Sequence, residues 1–228
     1  MDYKVKLQNI TRSTSLENVS ADSIGFVLEK LINNSPNKHF LHIAEGDKEA
    51  EALQKQMLFF AAQKIENGEL EILLFPSWDC LPYDRVSPKP SIISARINCL
   101  HKLAKNPKNK KTLVITTLGA VIQKTVPLSL IKNLGFKIEV GEEVSIDLLA
   151  QSLIDNGFSR TSIASNISEF AIRGNIVDII ISHNQVADDL IGYRLDFFGD
   201  VVEGIKVFDP LTQITNNKIN QINLLPAS

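Results

Sequence analysis

The sequence predicts an α/β chain in two parts, and three observations support that prediction. Helical and strand-like segments alternate in the first half, strands dominate the second half, and the balance of charge changes sign between them. Residues 1–127 contain 17 Lys and Arg against 13 Asp and Glu, whereas residues 128–228 contain 7 against 13. Helices that alternate with short apolar strands are typical of a mostly parallel sheet. We therefore predict a parallel-sheet lobe over residues 1–127 and a small α+β domain with an antiparallel sheet over residues 128–228.

The periodicity of apolar residues places the elements of the first lobe. Apolar side chains that recur every three or four residues predict helices near Ser20, over Lys48–Ile65, from Pro90 onward and over Leu118–Lys124. A proline such as Pro90 suits the first turn of a helix, where its missing N–H group costs nothing. Short apolar runs predict the strands His39–Ala44, Leu70–Phe75 and Thr112–Thr117.

One helix and several strands make up the predicted second domain. Ser145 can cap the N-terminus of the helix, and Gly157 stands where a left-handed residue closes its C-terminus. The predicted strands are Phe136–Val140, Ile172–Ile181, Gly192–Phe198, Val201–Phe208 and Ile219–Leu225. Gly199 and Asp200 lie between two of these strands and favour a hairpin turn there.

The composition narrows the classes of function. No apolar run approaches the roughly 18 residues that a membrane helix needs, and the N-terminus does not have the pattern of a signal peptide. The two cysteines, Cys80 and Cys99, do not form a disulfide framework, so we expect a reducing, cytoplasmic location. An acidic second domain does not attract phosphate backbones, and its expected partner is therefore a protein rather than a nucleic acid.

The motifs of nucleotide binding and of catalysis are missing from the sequence. The turn after the first strand, Glu45–Ala50, has one glycine, no hydroxyl residue and three acids, which is unlike a phosphate loop. The histidines are scattered, and the cysteines have no metal-ligand spacing. We prefer a loop-capping role for Asp79 and Asp84 over acid–base catalysis. We therefore expect no catalytic residue, cofactor or metal in this chain.

Two loops carry unusual residues. The stretch Phe75–Asp84 holds the single tryptophan, Trp78, with a tyrosine and two prolines. We interpret it as a packed lid over the sheet edge, with a partner-binding loop as the alternative. The second loop is basic, and we interpret it as solvated, with weak DNA contact as the alternative. Its lysines are Lys102, Lys105, Lys108, Lys110 and Lys111.

The run Phe170–Ile180 contains the only Arg-Gly pair of the sequence. In an extended chain Glu169, Ala171 and Arg173 share one side, and Phe170 and Ile172 share the other. Arg173 could form a surface ion pair with Glu169, which would contribute little to stability. Alternatively, Arg173 could serve a protein interface, since arginine beside an aromatic residue is typical of interaction hot spots.

The stretches around Trp78 and Arg173 together resemble the N-terminal region of the transcription-repair coupling factor (Mfd) family. The similar segments are Phe75–Asp84 with Ser87-Pro88 and Ile92–Arg96, Glu169–Asp178, Tyr193–Phe198, Val207-Phe208-Asp209 and Leu224–Ala227. The resemblance covers roughly residues 20–228. The later motifs also occur in the excision nuclease subunit UvrB, and they therefore imply a UvrB-like module.

The resemblance implies a degenerate helicase-like lobe without nucleotide binding, followed by a domain that docks UvrA, the damage-recognition ATPase of nucleotide excision repair. Arg173 matches the arginine of the family's docking surface, and Glu169 and Phe170 flank it. Arg160 is a looser match, because Ser165–Ser168 replaces the family's usual Pro-Gly or His-Gly turn. The expected UvrA-binding residues are thus Arg160, Glu169, Phe170 and Arg173.

The resemblance also implies that this chain is part of a much longer protein. Nothing in the sequence is similar to the family's RNA-polymerase-binding domain or its motor domains. ATP, Mg²⁺, RNA polymerase and duplex DNA are therefore expected to bind elsewhere in an ATP-dependent translocase. Two other functions stay open: a UvrB-type nucleotide-dependent helicase lobe, and a DNA-binding module that uses the Lys105–Lys111 loop.

Overall fold

The computed structural model describes residues 16–80, 85–105, 110–132, 134–182 and 190–227, without the side chain of Leu128. A short 3-10 helix, Ala21–Ser23, precedes the first α-helix. The α-helices are α1 Ile24–Asn34, α2 Asp47–Phe60, α3 Ala62–Glu66, α4 Pro90–Lys105, α5 Leu118–Val121, α6 Leu128–Ile131 and α7 Ile146–Asp155. The strands are β1 His39–Ala44, β2 Leu70–Phe75, β3 Lys111–Thr117, β4 Phe136–Glu139, β5 Ser159–Thr161, β6 Glu169–Arg173, β7 Ile176–Ser182, β8 Leu190–Phe198, β9 Val201–Phe208, β10 Thr215–Ile219 and β11 Gln221–Leu224.

Contacts divide the chain into two compact units. The first unit spans residues 1–77 and 106–124, and the second spans residues 78–105 and 125–228. Helix α4 thus clusters with the second unit, although it precedes β3 in the chain. The domain boundary between residues 127 and 128 stays a prediction. Some predicted features lie outside the described residues, namely the second half of the Trp78 loop with Asp84, and Lys108 of the basic loop.

The first unit is built on a parallel three-stranded sheet with the order β1-β3-β2. Helices α1 and α2 supply the core with Ile32 and Met57, which pack with Leu113 and Ile115 of β3. The three predicted strands are confirmed, and β3 begins one residue earlier than predicted, at Lys111. The single helix predicted over Lys48–Ile65 is instead two, since the backbone leaves helical geometry at Ala61.

The second unit is built on a six-stranded sheet with the order β10-β9-β8-β7-β6-β5. All neighbours are antiparallel except β5 and β6, and β4 pairs with β11 in a separate two-stranded sheet. The buried residues Leu149 and Leu153 of α7 join the core that one face of the large sheet forms. The predicted mixed fold, with a parallel sheet and then a small antiparallel α+β part, is confirmed.

The predicted caps of α7 are confirmed in the structure. The Ser145 hydroxyl accepts a hydrogen bond from the Leu148 N–H group at 3.3 Å. Gly157, just beyond the helix, has a φ of +83°, which is the left-handed region that glycine enters without steric cost. The predicted hairpin at Gly199-Asp200 is confirmed as well, since Phe198 pairs with Val201.

Two predicted strands are each interrupted in the structure, one by a turn and the other by a bend. The Ile172–Ile181 run is the hairpin β6–β7, in which Arg173 pairs with Ile176 around Gly174 and Asn175. Gly174 has a φ of +60°, the conformation that a two-residue hairpin with glycine first requires. Both strands are apolar, so the sequence pattern concealed the turn. The Ile219–Leu225 run likewise divides, because β10 ends at Ile219 and β11 begins at Gln221.

In the described part of the chain, none of the helices combines the length and the apolar character that crossing a membrane would require.

Candidate partner-binding surface

The large sheet has one apolar face and one charged face. Phe170, Val177 and Leu195 point into the core with α7. Because side chains alternate along a strand, their neighbours point to the opposite side. The strand register places these neighbours side by side, since Ala171 pairs with Asp178, Asp178 with Arg194, and Arg194 with Lys206. We call this side the charged face; its ionic side chains include Glu169, Arg173, Asp178, Arg194, Asp196, Lys206 and Lys218, which pairs with Lys206.

Asp178 is the centre of the charged face. Its side chain is only 2% exposed, and two arginines neutralise it. Arg194, directly across on β8, donates from Nε to Oδ1 at 2.7 Å and from Nη2 to Oδ2 at 2.9 Å. Arg173, diagonally across on β6, donates from Nη2 to Oδ2 at 2.5 Å. The bidentate bonds of Arg194 alone already satisfy both carboxylate oxygens of Asp178.

Arg194 is held from several sides. Its guanidinium lies 4.7 Å from the ring centre of Phe208 and donates to the Gln213 Oε1 atom at 3.4 Å. The Phe208 ring can lie flat on β8 because Gly192 leaves it room: a Cβ at Gly192 would come within 2.4 Å of the ring. The hydrogen bond with Asp178 raises the pKa of Arg194, although burial opposes this effect. Arg194 is therefore a fixed part of the sheet.

Arg173 is held less tightly than Arg194 and faces the solvent. Its side chain is 47% exposed, whereas that of Arg194 is 16% exposed. The predicted surface pair with Glu169 is replaced by the pair with the buried Asp178. Arg173 lies at the end of β6, next to the hairpin turn at Gly174. The structure thus presents a charged guanidinium that is anchored at one side and accessible at the other.

Glu169 organises the turn before β6. Its carboxylate accepts hydrogen bonds from the backbone N–H groups of Ser165 and Asn166, both at 2.9 Å, and from the Asn166 side chain at 3.0 Å. Burial raises the pKa of Glu169, but these three hydrogen bonds outweigh that effect and the pKa is lowered. The turn ends at Ser168, which has a φ of +64°.

The other two predicted site residues lie away from Arg173. Phe170 is 0% exposed and belongs to the core, so it supports β6 from beneath. Arg160 is exposed on the edge strand β5, where the register aligns it with Phe170. Side-chain alternation therefore assigns Arg160 and Arg173 to opposite faces of the sheet. Of the four predicted residues, the charged face brings together Glu169 and Arg173.

Two residues of this face were not singled out from the sequence. Arg194 shares Asp178 with Arg173, and Phe198 is 75% exposed at the end of β8. Phe197 is buried in the core, so Phe198 points to the charged face. Both residues stand in the Tyr193–Phe198 motif, and its alternation from Tyr193 onward was the signal that could have found them.

The described part of the Trp78 loop is packed. The guanidinium of Arg96, on α4, lies 4.2 Å from the ring centre of Trp78, and Arg96 is 3% exposed. Burial lowers the pKa of Arg96. Asp79 accepts a hydrogen bond from the Lys89 N–H group at 3.2 Å, just before α4 begins. These contacts agree with a packed loop and with a capping role for Asp79.

The turn after β1, where a phosphate loop would lie, differs in structure from such a loop. Helix α2 begins at Asp47, directly after Gly46. The Glu49 carboxylate lies 2.8 Å from the position that a Cβ on Gly46 would occupy, so a negative charge stands beside this turn. An adjacent cavity of about 500 Å³ is also lined by Asp22 and Glu45, with Lys48 as a basic residue. The expectation that the chain binds no nucleotide stays a prediction.

Two lysines of the basic loop take part in the fold. The Lys111 Nζ atom donates to the backbone oxygens of Ile32 at 2.6 Å and Ser35 at 3.0 Å, at the end of α1. Lys110 lies 3.6 Å from Glu71. Among the described residues, His, Cys, Asp and Glu side chains do not form a group of three or more that could hold a metal ion.

The geometry and the sequence together define the class of the second part. Residues 136–228 match the family model of the UvrB interaction domain, which covers the sheet and its charged face. This part of the chain is therefore similar to the UvrB interaction domain.

Most of the chain is similar to transcription-repair-coupling factors. It is 35% identical over 89% of its length to the protein of Rickettsia bellii, and 33% identical over 89% to that of Rickettsia prowazekii. The Escherichia coli protein is 30% identical over 68% of the chain. The resemblance found in the motifs is thereby confirmed. The chain spans 17% of the length of either Rickettsia relative.

Proposed function

We propose that this chain is a non-catalytic adaptor that binds UvrA through the charged face and so recruits nucleotide excision repair to stalled RNA polymerase. The relatives are named transcription-repair-coupling factors, and residues 136–228 match the model of the UvrB interaction domain. An acidic second domain with an anchored arginine is better suited to a protein than to DNA.

The proposal depends on one observation, which is that the Arg173 side chain is both anchored and accessible. Asp178 holds one side of the guanidinium, and the side chain is nevertheless 47% exposed. Since Arg194 also neutralises Asp178, Arg173 can pair with an acid of the partner without leaving Asp178 unpaired. A pre-positioned arginine loses little conformational entropy when it binds a carboxylate.

The other residues have different roles in this proposal. Arg194 and Glu169 position the face, one through Asp178 and the other through the turn at Ser165 and Asn166. Phe170 supports β6 from the core, and exposed Phe198 adds an apolar contact at the end of β8. Arg160, on the edge strand, would be a peripheral contact with a smaller effect on binding.

The activity of the longer protein is a further proposal. The relatives are about six times longer than the part that this chain covers. We propose that other parts carry ATP- and Mg²⁺-dependent translocation on duplex DNA and bind RNA polymerase. In that scheme the present chain supplies the connection to repair and performs no chemistry.

A binding titration with purified UvrA tests the adaptor proposal. Arg173→Ala should weaken binding by about 30-fold or more, because truncating one partner of a desolvated charge pair costs about 2 kcal/mol or more. The variant should remain folded, since Arg194 still pairs with Asp178. Arg85→Ala, which removes an exposed arginine outside the large sheet, is the matched control and should bind like the unaltered chain.

Two results would contradict the proposal. If folded Arg173→Ala bound UvrA as well as Arg85→Ala did, the assignment of the charged face would fail. If the unaltered chain bound ATP in a separate titration, the adaptor reading of the first unit would give way to a nucleotide-dependent lobe.

A further inference from the structure

An exposed apolar ridge adjoins the charged face. It consists of Ile163, Leu211 and Ile214, whose exposed fractions are 55%, 92% and 63%. Ile163 lies in the loop between β5 and β6, and the other two lie in the loop between β9 and β10. Beneath these loops, Ala164 and Phe208 are buried in a small cluster on the charged side of the sheet. The ridge therefore stands on a packed base.

The loop that carries Leu211 is closed by hydrogen bonds at both ends. The Asp209 carboxylate accepts from the N–H groups of Leu211 at 2.7 Å and Thr212 at 3.2 Å. The Asp209 N–H group donates to the Ile214 oxygen at 3.0 Å, and the Gln213 N–H group donates to the Asp209 oxygen at 2.7 Å. Leu211 is thus fixed in solvent at the tip of a tight loop, although burial of a leucine is favourable wherever the chain permits it.

Gln213 joins the two loops to the charged face. Its Nε2 atom donates to the backbone oxygens of Ala164 at 3.2 Å and Pro210 at 2.8 Å, and its Oε1 atom accepts from Arg194. Ile163 precedes Ala164 in the chain, and Ile214 follows Gln213. A continuous series of contacts therefore runs from Arg173 through Asp178, Arg194 and Gln213 to the ridge.

We infer that the ridge is the second half of the docking site, and that Leu211 inserts into an apolar pocket of the partner at the opposite end of the charged face from Arg173. This inference rests on the proposed function and commits to the same partner, UvrA. The combination of exposed apolar side chains with an exposed arginine supports this inference, because an interface typically combines an apolar anchor with charged groups. The exposed guanidinium of Arg173 in an acidic domain selects a partner surface that carries a carboxylate as well as that pocket.

The test is a titration of the complete 228-residue chain with purified UvrA, using Leu211→Ala and the matched variant Leu148→Ala. Leu148 is 65% exposed on α7, which packs against the other face of the sheet. Leu211→Ala should weaken binding about ten- to hundredfold, the ratio that corresponds to losing the burial of one leucine side chain. Leu148→Ala should bind UvrA like the unaltered chain. Thermal unfolding of both variants serves as the check on folding.

The outcomes separate this inference from the proposed function. If Arg173→Ala weakens binding but Leu211→Ala and Leu148→Ala bind equally well, the ridge is overturned and the charged face stands. If neither Arg173→Ala nor Leu211→Ala weakens binding, both assignments are overturned. Absence of UvrA binding by the unaltered chain overturns the proposed function and the inference with it. Loss of binding in both Arg173→Ala and Leu211→Ala, with Leu148→Ala unchanged, is the result that we expect.

Discussion

At the scale of single residues, Asp178 both stabilises the fold and holds the arginine side chains of the charged face in place. It is buried and holds two arginines, one of them through two hydrogen bonds. A buried acid on a sheet face is costly unless its charge is compensated, and here the compensation comes from side chains that also form the surface. The ion pairs of Asp178 therefore stabilise the fold and also position the candidate site.

Replacing Asp178 should destabilise the chain markedly. Asp178→Asn should lower the free energy of unfolding by about 2–3 kcal/mol, below the range for fully buried pairs because Arg173 can rehydrate. Asp196→Asn is the matched control, since Asp196 pairs at 2.6 Å with Lys206 and both are partly exposed. Its expected cost is about 0–1 kcal/mol. Urea unfolding of both variants measures the difference, and equal costs would contradict the central position of Asp178.

Glu169 should make the stability of the second unit depend on pH in acid. Its folded-state pKa is lowered from the ordinary value of 4.5, so its contribution is present above that value and is lost as pH falls through the folded pKa. Glu169→Gln should therefore reduce stability near neutral pH and flatten the loss of stability below about pH 4.5. The measurement is the unfolding midpoint at a series of pH values. A variant whose profile parallels that of the unaltered chain would refute the turn-holding role of Glu169.

At the scale of elements, Gly192 fixes how β8 and β9 pack. Gly192→Ala should lower the free energy of unfolding by about 1–3 kcal/mol, because the new methyl group would overlap the buried Phe208 ring. Gly204→Ala is the matched control on the neighbouring strand. A Cβ at Gly204 would lie 3.8 Å from an Asp196 carboxylate oxygen, which is ordinary contact. Thermal unfolding should rank Gly204→Ala well above Gly192→Ala in stability, and the reverse order would count against the described packing.

The elements also show what the sequence could and could not predict. Strands β1, β2 and β9 have the predicted bounds, because breaker residues or turns flank each apolar run. The β6–β7 hairpin was missed, since Gly174 and Asn175 interrupt a run in which both strands are apolar. The partner of Arg173 was missed for the same reason: only the hairpin brings Asp178 across from it. Alternation along β8 places Arg194 and Phe198 on one face, but the pairing of Arg194 with Asp178 depends on the register of β7 with β8, which the sequence of β8 alone does not give.

At the scale of the whole molecule, the grouping of α4 with the second unit has a measurable consequence. Buried residues of α4 include Cys99, which is 0% exposed, and α4 contacts β7 of the large sheet. A chain cut to residues 78–228 should therefore unfold at a higher temperature than one cut to residues 128–228, because the shorter piece leaves apolar surface uncovered. Calorimetry of the two pieces measures this difference. Equal midpoints would instead favour the boundary between residues 127 and 128.

Because two arginines share the Asp178 carboxylate, substitutions at Asp178 and at Arg173 should have different effects in cells. A change at Arg173 removes a contact but leaves a folded chain, so its effect would be a loss of repair at normal protein abundance. A change at Asp178 unfolds a larger fraction of molecules, and proteases remove unfolded chains continuously. Its effect would be a lower level of protein, although both residues belong to one cluster. Measuring protein abundance therefore distinguishes substitutions of Asp178, which should lower it, from substitutions of Arg173, which should not.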